Sequence, residues 1–253
     1  MRSDADDGGD GFLVRSLAST YPDGFTIADH DHPWGQLVYG RSGAMQVRAD
    51  GQSWLTPPTR AIWLPAHRPH AIRMRGTVAM RTLYLAPAIS GGLPHDAAVL
   101  EVGPLLRELI LHILGRGMLG PEPPSEARMA AVLVDLIAAA PREDTALPLP
   151  ADARALAVAE RLQADPQDRA GFPELARTAG ASLRTLQRVF PRETGLSLEA
   201  WRQKARLIHA AAALSGGAAV TSAALDCGYE SVSAFIGAFR RQFGITPGRY
   251  RQA

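Results

Sequence analysis

The chain has 253 residues, 46% of them hydrophobic and 21% charged, enough to bury a real core as one large domain or two small ones. No apolar run approaches the ~18 residues that a membrane span needs, and the single cysteine, Cys227, excludes an internal disulfide and any multi-cysteine zinc site, which suits a reduced, cytoplasmic setting. The net charge is only +2, yet residues 171–253 hold eleven Lys and Arg against five Asp and Glu, a pattern that fits either a polyanion partner or an ordinary solvated Arg-rich surface.

The opening "MRSDADDGGD" is acidic and Gly-rich, the opposite of a signal peptide, and reads as a disordered tail over 1–11. From about 25 to 86 the texture is short and β-like. "MQVRADGQSWL" alternates around Asp50-Gly51, a pair that tolerates the positive φ angles of a tight hairpin turn. "AIWLP", "AIRM" and "MRTLYL" are further strand-length runs between breakers, so 12–95 reads as a small barrel or sandwich. From about 100 the period becomes helical in "GPLLRELILHILGRG" and "SEARMAAVLVDLIAAA", separated by "GPEPP". Their Leu, Ile and Val content exceeds what one barrel face needs, so 96–140 is read as a pair of dimerisation helices. "PREDTALPLP" lacks periodicity and is read within a linker, 141–151; the remainder, 152–253, reads as helical throughout.

That last segment contains an echo. "LARTAGASLRTLQRVF" and "AALDCGYESVSAFIGAF" each carry an Ala, a Gly four residues on, a Ser and then apolar residues on one face. Ser182 and Ser231 are 49 apart, and the same offset carries Leu186, Val189 and Phe190 onto Phe235, Ala238 and Phe239. Each copy has the physics of a helix-turn-helix: Ala176 and Ala224 allow close helix crossing, Gly180 and Gly228 supply the turn, and Ser182 and Ser231 can cap the second helix. With the apolar residues inward, Arg184, Gln187 and Arg188 lie outward, and Arg and Gln are the side chains that read guanine and adenine edges. One such pattern arises easily by chance; two at a fixed offset, joined by Leu198 to Leu214, do not. Trp201, Tyr229, Phe235, Phe239 and Phe243 fall at core spacing, and Cys227 reads as a small buried filler rather than a redox switch.

The segment from about 155 to 251 resembles the DNA-binding domain of the AraC/XylS family of bacterial transcription regulators. The residues that carry this are "LQRVFPRETGLSLEAWRQKARL" and "ALDCGYESVSAFIGAFRRQFGITPGRYR". The resemblance implies two recognition helices, near 183–192 and 232–241, held by a rigid linking helix of ~17 residues, ~26 Å long at 1.5 Å per residue, a spacing suited to successive major grooves. It makes Ser182, Arg184, Thr185, Gln187, Arg188, Ser231, Val232, Ser233, Ile236, Gly237 and Arg240 the candidate DNA-contacting set. The second helix departs from the family's usual polar surface with Val232, Ile236 and Gly237, which points it toward thymine methyls and phosphates.

Near the N-terminus, Gly24, His30, His32, Gln36 and Gly43 follow the spacing of the first cupin motif, with Gln36 in place of the usual glutamate. "PAHRPH" places Pro65 and His70 as in the second motif, with His67 where that motif has Gly. Residues i and i+2 of a strand face the same way, so His30 and His32 point together. His70 and the Gln36 amide oxygen can complete a site for Zn, Ni, Fe or Mn. The competing reading is an organic-effector pocket in which the histidines join Trp34, Tyr39, Trp54 and Trp63. A metal held here is expected to leave below about pH 6, because imidazole must be neutral to bind.

The fold expected is therefore α+β: a cupin-like β-barrel with flanking helices, then an all-α double helix-turn-helix domain. The expected function is sequence-specific transcriptional regulation, without catalysis, controlled by a small molecule or metal ion in the barrel. Expected partners are promoter or operator DNA, a second copy of the chain, and RNA polymerase if it activates; no membrane is expected. Two rivals stand beside it: a cupin metalloenzyme of dioxygenase or isomerase type fused to a DNA-targeting module, and a constitutive regulator whose barrel serves only dimerisation.

Overall fold

The computed structural model describes residues 11–143 and 145–252; most of the expected disordered tail, residues 1–10, lies outside them. The chain divides into two compact units, one reaching Asp50 and resuming over Thr56–Thr145, the other made of Gly51–Leu55 and the chain from Ala146 onward.

The first unit is built on antiparallel strands. β1 (Val14–Tyr21), β2 (Thr26–His30), β3 (Gly35–Gly40) and β4 (Ala44–Ala49) are followed, after β5 (Gln52–Thr56), by β6 (Arg60–Leu64), β7 (His70–Arg75) and β8 (Val78–Leu85). A short helix, α1 (Pro87–Ser90), leads to β9 (Ala98–Glu101), α2 (Pro104–Arg116), α3 (Pro124–Ala139) and β10 (Arg142–Glu143). One sheet runs β1-β8-β3-β6-β9-β10, with β1 and β8 paired from Val14↔Leu85 to Tyr21↔Val78. In the other, β7 lies between β4 and β2. The expected barrel is thus an open pair of sheets in jelly-roll manner. Gly43 makes one of its turns possible: φ is +72°, and a Cβ there would meet the Thr77 carbonyl oxygen at 2.6 Å. Asp50 and Gly51 both have positive φ, +50° and +68°, as a primed hairpin turn demands.

α2 and α3 lie on the first sheet. Leu106, Ile110, Ile113, Leu133 and Ile137 share a buried core with Val14, Leu37, Tyr39, Trp63, Leu83 and Leu85. The sheet therefore absorbs much of the apolar content read as a dimer interface; Leu105 at 64% exposure and Val132 at 45% remain outside.

In the second unit, β5 pairs with β11 (Leu147–Pro148) inside the segment read as a linker. Seven helices follow: α4 (Ala153–Ala164), α5 (Phe172–Thr178), α6 (Leu183–Thr194), α7 (Leu198–Ser215), α8 (Val220–Asp226), α9 (Val232–Phe243) and α10 (Pro247–Gln252). α5–α6 and α8–α9 are the two helix-turn-helix copies. Their turns rest on Gly180 and Gly228 at φ +67° and +76°, and Ser182 and Ser231 accept the N–H of Thr185 and Ala234. α7, 18 residues and ~27 Å long, supplies Trp201, Ala205 and Ile208 to the first copy's core and Leu207, Ala210, Ala211 and Leu214 to the second's. Its position is locked: Trp201 packs edge-on against Phe190 and donates Nε1–H to Pro148 O at 2.6 Å. Cys227 is buried beside Phe235, as expected of a filler, and burial pushes its thiol up to about 12. Among the described residues, no helix is long and apolar enough to cross a membrane.

Candidate functional site

The three histidines meet. His30 ends β2 and pairs across the ladder with His70, the first residue of β7, while His32 follows two residues later. Their ring centroids lie 4.3 to 5.9 Å apart, and one ring nitrogen of each falls within 4.8 Å of the others'. His32 and His70 are 4% and 0% exposed; His30 is half-buried, so the cluster opens on its side. His67 adopts φ +58° where a Gly was expected, and its N–H donates to His32 O at 2.8 Å, pinning the two motifs together.

Which nitrogen each ring offers follows from its neighbours. Nδ1 lies 2.8 Å from Ala28 O in His30, 2.7 Å from Trp34 O in His32 and 2.7 Å from Arg68 O in His70. A carbonyl only accepts, so each Nδ1 carries the proton and each neutral ring keeps its lone pair on Nε2. Nε2 of His70 is buried without a hydrogen-bond partner. Nε2 of His32 lies 3.1 Å from Oε1 of Gln36. In this orientation Gln36 Nε2 donates to Thr82 Oγ1 at 3.0 Å and Thr82 donates in turn to Leu37 O, a chain that turning the amide would break at Leu37. Two acceptors therefore face each other in a buried site, an arrangement that a cation satisfies. Backbone carbonyls holding the far nitrogen of each imidazole are also the usual second layer of a metal centre.

Burial also disfavours the charged form of two of the rings, His32 and His70. It lowers His32, with His30 adding to the effect against the raising contacts of Gln36 and Trp34 O. Burial pushes His70 down to about 4, helped by His30 and His32 and opposed by the Arg68 carbonyl. An unperturbed imidazole protonates near pH 6.5; these two stay neutral further into acid.

The four aromatics of the alternative pocket do not gather around the histidines. Tyr39 and Trp63 sit in the core shared with α2 and α3, because Gln36 and Tyr39 differ in parity along β3 and project from opposite faces. Trp63 also fills the space over Gly35, where a Cβ would meet its ring at 2.3 Å, and donates Nε1–H to Pro94 O. Trp54, buried on β5, belongs to the second unit. Only Trp34 stays beside the cluster, through its carbonyl to His32, with the Arg15 guanidinium 4.3 Å from its ring centroid. Residues not anticipated take their place. Thr82 orients Gln36, and the Tyr84 ring meets His32 edge-on at 5.1 Å. Arg15, Tyr84 and Gln36 form one cross-strand row; the signal available was the Thr82/Tyr84 alternation on β8.

In the second unit, α6 exposes Arg184, Gln187 and Arg188, while Leu186, Val189 and Phe190 are buried. Ser182 is committed to its cap, and Thr185, half-buried, has its hydroxyl 2.9 Å from Ser182 Oγ. On α9, Ser233, Ile236 and Arg240 are exposed and Gly237 is half-buried, while Ser231 serves as cap. Val232 packs partly against the helical core, withdrawn from the outer face.

Comparison with known proteins agrees with both halves. A family described as an AraC-like ligand binding domain matches residues 13–159, and a helix-turn-helix domain family matches 175–253. The HTH-type transcriptional regulator NimR of Escherichia coli K12 is 31% identical over 228 residues, covering 90% of this chain and 83% of that protein. RipA of Corynebacterium glutamicum, also an HTH-type regulator, is 39% identical over 103 residues, 41% of this chain and 31% of its own length. Among solved structures, a probable AraC family regulator from Rhodopseudomonas palustris is 33% identical over 38% of this chain and 92% of its own, with a TM-score of 0.36. Fatty-acid-bound ToxT from Vibrio cholerae is 11% identical over 97% and 96% of the two chains, with a TM-score of 0.39.

Proposed function

Because the chain belongs to the AraC family of transcriptional regulators, with a ligand-binding unit ahead of a helix-turn-helix domain, we propose that its effector is, or is seated on, a divalent transition-metal ion. Effector-controlled, sequence-specific DNA binding is the function of the family member. One observation supports it above the rest: three converging imidazoles with Nδ1 tied to carbonyls, the Nε2 of His70 buried without a partner and the Nε2 of His32 3.1 Å from Gln36 Oε1. His30, His32, His70 and Gln36 would hold the ion, with Zn, Ni, Fe or Mn all compatible with imidazole and amide donors. Bound there, an ion would draw β2, β3, β7 and the β2–β3 connection to a common point, since His30, Gln36 and His70 stand on the strands and His32 between β2 and β3.

In this reading the site senses and does not turn substrate over, the protein is cytoplasmic, and it acts as a homodimer on promoter DNA, with RNA polymerase as partner where it activates. Turnover of a candidate substrate, lost in His30→Ala, would favour the metalloenzyme rival instead. Elemental analysis of protein purified without chelator or affinity tag should find about one metal per chain. Gln36→Glu should tighten it by supplying a charged oxygen, and His30→Ala should abolish the effector response while leaving DNA binding by the apo-protein intact. Substoichiometric metal throughout, with Gln36→Glu recruiting none, overturns the assignment.

A further inference from the structure

We propose that α9 reads the 5-methyl groups of thymine through Ile236, so that the two recognition helices use different chemistry on the two halves of the operator. In a helix-turn-helix the first turns of the second helix meet base edges. α6 presents Arg184, Gln187 and Arg188 there, long donors able to make bidentate contacts with guanine and adenine. The corresponding face of α9 presents Ser233, Ala234, Ile236 and Gly237. From Ser231 to Phe239 there is no charge, and a single short hydroxyl, that of Ser233, is free of the cap. The cations Arg240 and Arg241 arrive only in the last turn, where a helix leaves the bases for the phosphates.

Ile236 is 36% exposed although its neighbours Phe235, Ala238 and Phe239 are buried in the helical core. Such a side chain has no hydrogen bond to offer a base edge. The one major-groove feature it complements is the thymine methyl, which distinguishes T from the other three bases. Gly237 beside it keeps the backbone bare: an added Cβ would have only Arg241 Nη1 near, at 3.6 Å. The helix can therefore approach the groove closely enough for an isoleucine to reach.

The test uses the full-length chain and a duplex recovered by selection from random DNA, with each thymine replaced singly by deoxyuridine. This removes a methyl and leaves every hydrogen-bonding edge unchanged. Affinity should fall about fourfold at each thymine under α9, the worth of one buried methyl, and these positions should cluster in one half-site. Ile236→Ala should erase that sensitivity without changing the salt slope, whereas Arg240→Ala should lower the slope by about one. Ile236→Gln should also erase it and shift preference at that position toward adenine. Arg188→Ala should leave it in place. A recovered site without a fixed thymine, or deoxyuridine sensitivity that survives in both Ile236 variants, overturns the proposal; the exposed isoleucine would then belong to a protein contact.

Discussion

Acid should destabilise the sensor unit through His70. The side chain is 0% exposed, and burial holds its imidazole at about 4 against an ordinary 6.5. Below pH 6.5 the unfolded chain takes up a proton that the folded chain refuses, so stability falls as pH drops and the loss is complete near pH 4. That gap corresponds to roughly 3 kcal/mol, at 1.36 kcal/mol per pH unit, of which about 2 kcal/mol falls between pH 7 and 4.5. His32 is lowered by the same cause and adds in the same direction. The assay is urea denaturation of chelator-treated protein at pH 7 and 4.5, for the wild type and for His70→Gln. The glutamine cannot titrate and can still donate to Arg68 O, so subtracting its pH dependence removes the carboxylates' contribution. Wild type should lose about 2 kcal/mol more than the variant. Equal pH dependence in the two would show that His70 is not held neutral by its surroundings, and the donor assignment would lose its electrostatic basis.

Three other outcomes are expected. Arg188→Ala should cost ~1–3 kcal/mol on the selected operator and little on random duplex; equal losses on both would make Arg188 a phosphate contact. Sedimentation at micromolar concentration should show a dimer, and Leu105→Glu, on the exposed part of α2, should shift it to monomer with unchanged circular dichroism; a monomeric wild type with and without DNA removes the idea. Gly237→Ala should raise thermal stability by up to ~1 kcal/mol while weakening operator binding, because its new methyl enters the groove-facing surface; stability and affinity rising together would contradict close approach by α9.

The helical half was legible because its code is local. A turn glycine, a capping serine and three inward apolar residues specify each copy within about fifteen residues, and Gly180, Gly228, Ser182 and Ser231 do in the structure what their spacing predicts. The sensor was legible in its turns but not in the sides of its strands. β3 and β6 are buried along their whole length, on both faces, so the polar/apolar alternation that tells inside from outside vanishes. The competing pocket groups Tyr39 and Trp63 with the histidines, whereas strand parity sends them to the helices. The short strands β10 and β11 had no periodicity to show, being two residues each.

The histidine spacing was visible; its chemistry was not, because a sequence does not say which nitrogen of a ring is free. That depends on carbonyls at Ala28, Trp34 and Arg68, contributed by backbone conformation alone. The exchange of a carboxylate for Gln36 reads in the sequence as a weakened ligand. In the structure it has a second consequence. A glutamate 3.1 Å from His32 Nε2 would stabilise an imidazolium, and the pair would be satisfied by a proton. The amide gives no such charge, and burial disfavours protonating His32. Gln36 thus removes the competing proton as well as the negative charge. On the proposed reading, a metal ion there engages several neutral donors at once, which a proton cannot do.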